Sequence, residues 1–149
     1  MTIREATTTD IPYLLDFQLK MALETENITL EISTLTEGVN KLFKDPSKGK
    51  YYVAVDGNEV IGCLMTNYEW SDWRCGTVLW IQSVYIAAPH RGKGIYKKMY
   101  TFIQQMVNTD PDLRGIRLYV DKTNAAAKEV YQKLGMNGEH YQMYEWMKE

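Results

Sequence analysis

Three consecutive strand-like segments between residues 51 and 88 constrain the fold more than any other part of the chain. The segment YYVAVDGNEVIGCLMTNYEW (51–70) predicts a hairpin, with a turn at Asp56 and Gly57 between two strands. The segment TVLWIQSVYIAA (77–88) is apolar enough to be a strand buried inside a sheet. Because both faces of such a sheet need cover, we expect helices in the flanking segments.

The segments before the hairpin predict one strand and two helices. Residues 2–6 form the strand, and the first helix begins near Asp10, which can act as its N-cap. The capping-box pattern of Thr34 and Glu37 predicts the start of the second helix, which ends before the Asp-Pro pair at 45–46.

The segments after the buried strand continue the alternation of helices and strands. A helix is expected over 94–108, a strand at IRLYV (116–120), a helix from Asn124 to Gly135, and a last strand over about 139–147. The order βααβββαβαβ predicts an α/β sandwich. It would be one domain over 1–149, with a mixed central sheet of about six to seven strands flanked by helices.

Composition argues against several classes of function. The net charge of −2, from 17 basic and 19 acidic residues, argues against a nucleic-acid-binding protein with a broad positive face. With two histidines, and with Cys63 and Cys75 outside any CxxC spacing, no metal site is expected. No apolar run is long enough to span a membrane, and the polar N-terminus is unlike a signal peptide. We therefore expect a cytoplasmic protein with no membrane partner.

A turn with two glycines joins the buried strand to the next helix, in APHRGKGIYKKMY (88–100). The spacing fits neither a Walker A loop nor a Rossmann fingerprint, in which Lys97 would have to be the third glycine. What remains is a helix N-terminus at which Gly92 and Gly94 let backbone N–H groups approach an anion such as pyrophosphate. A solvated surface turn explains the same residues equally well.

Two segments resemble motifs of the GNAT superfamily of N-acetyltransferases. VYIAAPHRGKGIYKKMY (84–100) is similar to motif A, Q/R-x-x-G-x-G/A, in which Arg91 and Gly94 match and Tyr96 departs from the usual glycine or alanine. YVDKTNAAAKEVYQKLGM (119–136) is similar to motif B. The two motifs occur in the family's order, so the resemblance extends over essentially the whole chain.

This resemblance implies acetyl-CoA as the acyl donor. The strand segment would pair with the pantetheine arm by main-chain hydrogen bonds, and a backbone N–H near its start would stabilise the oxyanion. Asn124 is either a plain N-cap or a contact to the donor. The implied donor-binding residues are those of the strand and of the loop, namely Val84, Tyr85, Ile86, Arg91, Gly92, Lys93, Gly94, Ile95 and Tyr96.

The resemblance also implies that Tyr131 is the general acid that protonates the departing thiolate, although its helix position alone indicates ordinary packing. Many members of the family place a glutamate two residues before the position of Val84. This chain has Gln82 there, and an amide cannot act as a base. Glu69 is therefore the candidate base, directly or through water, with Asp72 as the next candidate.

The acceptor is the least determined partner. Glu24 and Glu26, at the end of the first helix, would line the acceptor pocket and attract a cation, and Trp70, Trp73 and Trp80 would form a cation–π wall. Solvated charge and ordinary packing explain these residues too. We expect an N-acetyltransferase of a small-molecule amine, such as a polyamine or an amino acid-like compound. The alternatives are a protein or peptide N-acetyltransferase and a non-catalytic acyl-CoA-binding regulatory module. A homodimer is one assembly that the resemblance implies.

Overall fold

The computed structural model describes residues 1–148. The chain divides into two compact units, the first from Met1 to Tyr119 and the second from Val120 onward. Among the described residues no helix combines the length and the apolar character that crossing a membrane requires. The same residues contain no cluster of three or more histidine, cysteine or acidic side chains that could hold a metal ion.

The first unit is built on a mixed sheet in the order β1-β2-β3-β4-β5. Neighbouring strands are antiparallel except β4 and β5, which are parallel. Five strands form within residues 1–148, so the prediction of six to seven strands is wrong. The strands are β1 (Thr2–Glu5), β2 (Lys50–Asp56), β3 (Glu59–Ser71), β4 (Gly76–Ile86) and β5 (Leu113–Leu118).

Helices cover both faces of this sheet. The first unit contains α1 (Ile11–Glu26), α2 (Ile32–Lys44) and α3 (Ile95–Thr109). Tyr51 of β2 stacks on Phe43 of α2, with ring centroids 6.1 Å apart, whereas the next residue, Tyr52, packs on Phe102 of α3 at 5.8 Å. Because consecutive residues of a strand point to opposite faces, α2 and α3 lie on opposite sides of the sheet.

Side chains of the sheet, α1 and α2 form a contiguous core on one of these faces. The helices contribute Leu14, Phe17 and Val39 to it, and the sheet contributes Tyr51, Val53, Val60, Cys63 and Tyr85. This core places α1 over β3 and the end of β4, which is the part of the sheet that leads into the glycine loop, residues 91–96.

Two helix starts differ from the sequence prediction. Asp10 stands at the N-cap position of α1, but its carboxylate is turned toward Arg4, at 2.8 and 3.0 Å, and toward the N–H of Thr7, at 2.7 Å. The second helix begins two residues earlier than Thr34. There the Glu31 carboxylate accepts the hydroxyl of Thr34 at 3.1 Å, so no capping box forms with Glu37. In both places an unanticipated charged partner replaces the predicted cap.

The second unit contains α4 (Ala125–Lys133). As predicted, Asn124 is its N-cap, and its side-chain oxygen accepts the N–H of Ala127 at 3.0 Å. At the other end Gly135 has φ +83°, and the N–H of Met136 donates to the carbonyl of Tyr131 at 3.0 Å. This is a Schellman ending, which explains why a glycine is required there.

The strand predicted over 139–147 does not form, and these residues have no regular secondary structure. Their side chains are exposed, with Tyr144 at 89% and Trp146 at 88%. A strand needs a partner strand for its backbone groups and one apolar face to fix its register. Here large apolar side chains stand at both even and odd positions, including Met143 and Met147, so neither face is defined.

Candidate functional site

The end of β4 contains a bulge. Gln82 pairs with Met65 and Tyr85 pairs with Cys63, so Ser83 and Val84 together face a single residue of β3. Ser83 has φ +54°, a conformation that non-glycine residues rarely adopt. A bulge takes backbone groups out of the ladder and re-aims the strand, and such features are common beside active sites.

Buried polar groups support the bulge from the side of α1. The thiol of Cys63 donates to the carbonyl of Ser83 at 3.5 Å, and the side-chain amide of Gln18 approaches the Cys63 sulfur at 3.8 Å. Burial raises the pKa of Cys63 to about 12, so the thiol stays protonated and can act as this donor. Cys63 is therefore a structural residue of the bulge.

At the same point β4 extends beyond the end of β5. The parallel pairing ends where Ile81 meets Leu118, which is also the last residue of β5, whereas β4 continues through Gln82–Ile86. Over these five residues β4 is paired with β3 on one side and has passed the end of β5 on the other. The result is a gap in the sheet beside β4, beyond the end of β5 and bordered by the bulge.

The glycine loop lies directly beyond this gap. Gly92 and Gly94 have φ +76° and +74°, and Gly94 is the N-cap of α3. No atom lies within 4 Å of where a Cβ would stand on either glycine, so the space in front of the loop is open. The side chain of Lys93 is exposed, whereas that of Ile95 is buried and fixes the first turn of α3 to the sheet. Tyr96 is accommodated along the helix, with its ring 6.5 Å from that of Tyr100.

Arg91, the first residue of the loop, contacts α1 and the end of β4. Its Nε donates to the carbonyl of Ile86 at 2.8 Å, and its Nη2 pairs with Glu24 at 2.7 Å. The guanidinium also lies over the ring of Tyr85, 5.1 Å from its centroid, and the Tyr85 hydroxyl donates to Glu24 at 3.1 Å. Glu24 therefore contacts the loop rather than standing free at the end of α1.

The predicted base is far from the bulge. Glu69 lies on β3 opposite Val78, six positions before Val84, which corresponds to about 20 Å along β4. Its carboxylate accepts the indole N–H of Trp80 at 3.0 Å and forms an ion pair with Arg117. Direct proton transfer between Glu69 and an amine near Val84 is incompatible with this separation.

The other acidic and aromatic candidates are scattered. Asp72 lies in the turn between β3 and β4, still further from the bulge, and accepts the N–H of Trp73 at 2.9 Å. Trp70 and Trp73 near the same turn are 66% and 92% exposed, and Trp80 packs on Tyr119 with ring centroids 5.0 Å apart. Within the described residues these tryptophans lie toward the β3–β4 turn, so they form no aromatic wall along the gap at the end of β4. Glu26 is exposed near the end of α1.

Two predicted residues belong to the second unit. Tyr131 is half-buried in α4, and Asn124 uses its side-chain oxygen to cap the same helix. The residues that the sequence reasoning missed are Ser83, for which a non-glycine φ above zero has no local signal, and Gln18, whose role depends on a long-range contact with Cys63.

The model of the Acetyltransferase (GNAT) family matches residues 16–136, from α1 to the turn after α4. The chain belongs to this family. Among curated proteins, no sequence matches the chain significantly.

Solved structures share the GNAT fold over nearly the whole length of the chain. A protein described as a possible acetyltransferase from Clostridium difficile 630 is 41% identical, with a TM-score of 0.93 and coverage of 99% of this chain and 97% of that one. A predicted acetyltransferase from Clostridium acetobutylicum, solved with acetyl-CoA, is 20% identical with a TM-score of 0.74, over 97% and 95% of the two chains.

An aminoglycoside acetyltransferase from an uncultured soil metagenomic sample, solved with sisomicin, is 18% identical. Its TM-score is 0.77, over 99% of this chain and 96% of that one. The last two likenesses concern the fold alone.

Proposed function

We propose that this GNAT protein transfers the acetyl group of acetyl-CoA to the amine of a small molecule, such as a polyamine or an amino acid-like compound. The observation that supports this most strongly is the end of β4. There β4 contains a bulge and extends five residues beyond the end of its parallel neighbour β5. It then leads into the glycine loop at the N-terminus of α3. This combination offers a long thioester both a strand edge and an anion site.

The strand edge suits the pantetheine arm. Between Gln82 and Ile86 the side of β4 that faces away from β3 lies beyond the end of β5. An amide-containing chain can bind such an edge as an added strand does, through main-chain hydrogen bonds. Val84, Tyr85 and Ile86 act through their backbones, since the Tyr85 side chain is directed into the core beneath α1.

The loop from Arg91 to Tyr96 suits the pyrophosphate. Amides in the first turn of a helix have no acceptor within the helix, and the helix dipole favours a negative charge there. Gly92 and Gly94 keep the space in front of these amides open. The anion is therefore bound by backbone, with Lys93 adding an exposed positive charge at the rim.

Acetyl-CoA supplies an activated acyl group and a thiol leaving group. The N–H of Val84, a residue of the bulge, donates to the acyl oxygen as it becomes negative. The Tyr131 hydroxyl delivers a proton to the leaving sulfur, and Asn124 fixes the start of the helix that bears it. Replacing Tyr131 with phenylalanine tests this role.

The acceptor amine has to lose a proton before it attacks. We propose that Glu69 receives it through a chain of several water molecules, since about 20 Å of strand between Glu69 and Val84 excludes direct transfer. A Glu69→Gln variant then lowers kcat while leaving the Kd of acetyl-CoA unchanged. Unchanged turnover in this variant means that the ion pair with Arg117 is purely structural.

A non-catalytic acyl-CoA-binding module is the second candidate. The observation that favours it is that Gln82, next to the bulge, cannot titrate. Glu69 lies about 20 Å from Val84 and is engaged by Trp80 and Arg117. Such a module binds acetyl-CoA with the same strand edge and loop but releases no CoA.

Calorimetric titration with acetyl-CoA, followed by measurement of CoA release over an amine panel, separates these functions. The panel contains polyamines, amino acids, an aminoglycoside, a peptide with a free N-terminus and a lysine peptide. Release with a small amine supports the proposal, and release with peptides alone favours a protein acetyltransferase. Binding without release on any amine favours the module. Absence of acetyl-CoA binding overturns the donor assignment.

A further inference from the structure

We infer that Glu24 is a positioning residue for the glycine loop, residues 91–96, and that it acts through Arg91. This inference rests on the proposed function, since it concerns how the loop is held for the pyrophosphate. Glu24 lies on α1, 67 positions before Arg91, and its two carboxylate oxygens accept from two different residues of the β4–loop segment.

The contact fixes both sides of the turn that leads to the loop. Arg91 binds the Ile86 carbonyl with Nε and Glu24 with Nη2, so one guanidinium joins the last residue of β4, the first residue of the loop and α1. A planar guanidinium that holds two acceptors in fixed directions restricts the backbone of Arg91 more than a single contact does.

The other end of this contact is anchored in the core. Tyr85 donates to the second oxygen of Glu24, and its ring packs against Phe17 with centroids 5.1 Å apart. Tyr85 and Phe17 are both buried. One oxygen of the Glu24 carboxylate is therefore held by the hydroxyl of a tyrosine that is packed in the core, whereas the ion pair itself lies at the surface, with Glu24 42% and Arg91 46% exposed.

Electrostatics alone predicts that Glu24 weakens the binding of CoA rather than supporting it. A carboxylate that neutralises the nearest arginine makes the loop less attractive to the phosphates of CoA, so removing it ought to strengthen binding. The Arg91 hydrogen bond is the main cause that lowers the pKa of Glu24, so the carboxylate is ionised at neutral pH. A negative group at an anion site is explained if its contribution is to hold Arg91 and the loop in place.

The test compares the Kd of acetyl-CoA for the full-length wild-type protein, Glu24→Ala and Glu37→Ala. Glu37 is an exposed helical glutamate paired with Lys41 at 2.9 Å, so its variant loses the same charge and a similar ion pair away from the loop. We expect Glu24→Ala to weaken binding about fivefold and Glu37→Ala to leave it unchanged. Tighter or unchanged binding by Glu24→Ala overturns the inference.

A double variant tests whether Glu24 acts through Arg91. In an Arg91→Ala background the Glu24→Ala change is expected to cause no further loss, because the contact is already broken. An additive loss contradicts the inference and indicates a separate role for Glu24. Alanine suits the last turns of α1, and thermal melting of the free variants verifies that they fold.

Steady-state kinetics with an active amine adds a second readout. We expect Glu24→Ala to raise the KM of acetyl-CoA and to leave the KM of the amine unchanged. The reverse pattern overturns the inference and returns Glu24 to the acceptor pocket. A wild-type protein that binds no acetyl-CoA refutes the proposed function itself, which is a different result from normal wild-type binding with an unaffected Glu24→Ala variant.

Discussion

Substitutions at Gly94 are the most discriminating, because they separate the effect of its left-handed backbone conformation from the effect of the open space in front of it. It has φ +74° at the N-cap of α3, and the space in front of it is open. Alanine at this position is strained in the left-handed conformation and also adds a Cβ. Asparagine also adds side-chain atoms, but it tolerates the left-handed region and is a favoured N-cap residue.

The expected stabilities follow from these facts. In the free protein Gly94→Ala costs about 1–2 kcal/mol, which lowers Tm by roughly 2–8 °C, whereas Gly94→Asn remains within about 1 kcal/mol of the wild type. Acetyl-CoA at a hundred times its Kd stabilises the wild type by about 2.7 kcal/mol, which raises Tm by roughly 5–10 °C. The asparagine side chain occupies the space of the pyrophosphate, so that shift is expected to disappear.

Thermal melting with and without acetyl-CoA, together with calorimetric Kd values, measures both effects. Gly38→Ala is the matched control, because Gly38 lies within α2 with open space around it. We expect this control to stabilise the free protein by about 0.5–1 kcal/mol and to keep the full ligand shift. If Gly94→Asn folds normally and binds acetyl-CoA within about threefold of the wild type, the loop does not hold the pyrophosphate.

Three further predictions concern other residues. Tyr131→Phe is expected to lower kcat about a hundredfold with an unchanged Kd for acetyl-CoA, and equal turnover removes Tyr131 from the mechanism. The Arg4 hydrogen bond lowers the pKa of buried Asp10, so Asp10 contributes stability above about pH 4 and loses it as the pH falls through its folded pKa. Asp10→Ala should therefore cost about 2 kcal/mol at pH 7 and progressively less in acid, and a pH-independent difference in urea melts contradicts this. Exposed Cys75 should react with DTNB in the native protein, and buried Cys63, whose pKa is raised to about 12, only after unfolding; two fast thiols contradict the packing around Cys63.

Elements whose signals are local could be predicted from the sequence. The hairpin follows from strand-forming residues around the turn at Gly57, which has φ +61°, and α3 follows from its apolar spacing after the glycine loop. The strand over 139–147 depends on a partner elsewhere in the chain, and no local pattern supplies one. For that reason the sheet has five strands rather than six to seven.

In the candidate site, too, the features with a local signal could be predicted and the long-range contacts could not. Gly92 and Gly94 could be singled out because glycine is the residue type that a left-handed turn requires. The bulge at Ser83 and the contact between Glu24 and Arg91 could not, since each depends on residues far apart in sequence.

The prediction of Glu69 as the base rests on its place at a strand end, whereas the register puts that end beside the start of β4. Because only four residues, 72–75, separate β3 from β4, the two strands must pair antiparallel, so the distance between Glu69 and Val84 also follows from the sequence.

A crystal structure with bound CoA would locate the donor on the protein. The proposed donor site predicts density for the pantetheine arm along the backbone of Val84–Ile86, in the gap beyond Leu118, and the pyrophosphate against the N–H groups at the start of α3. CoA bound at the other edge of the sheet, along β1, or with its pyrophosphate away from Gly92 and Gly94, would contradict it.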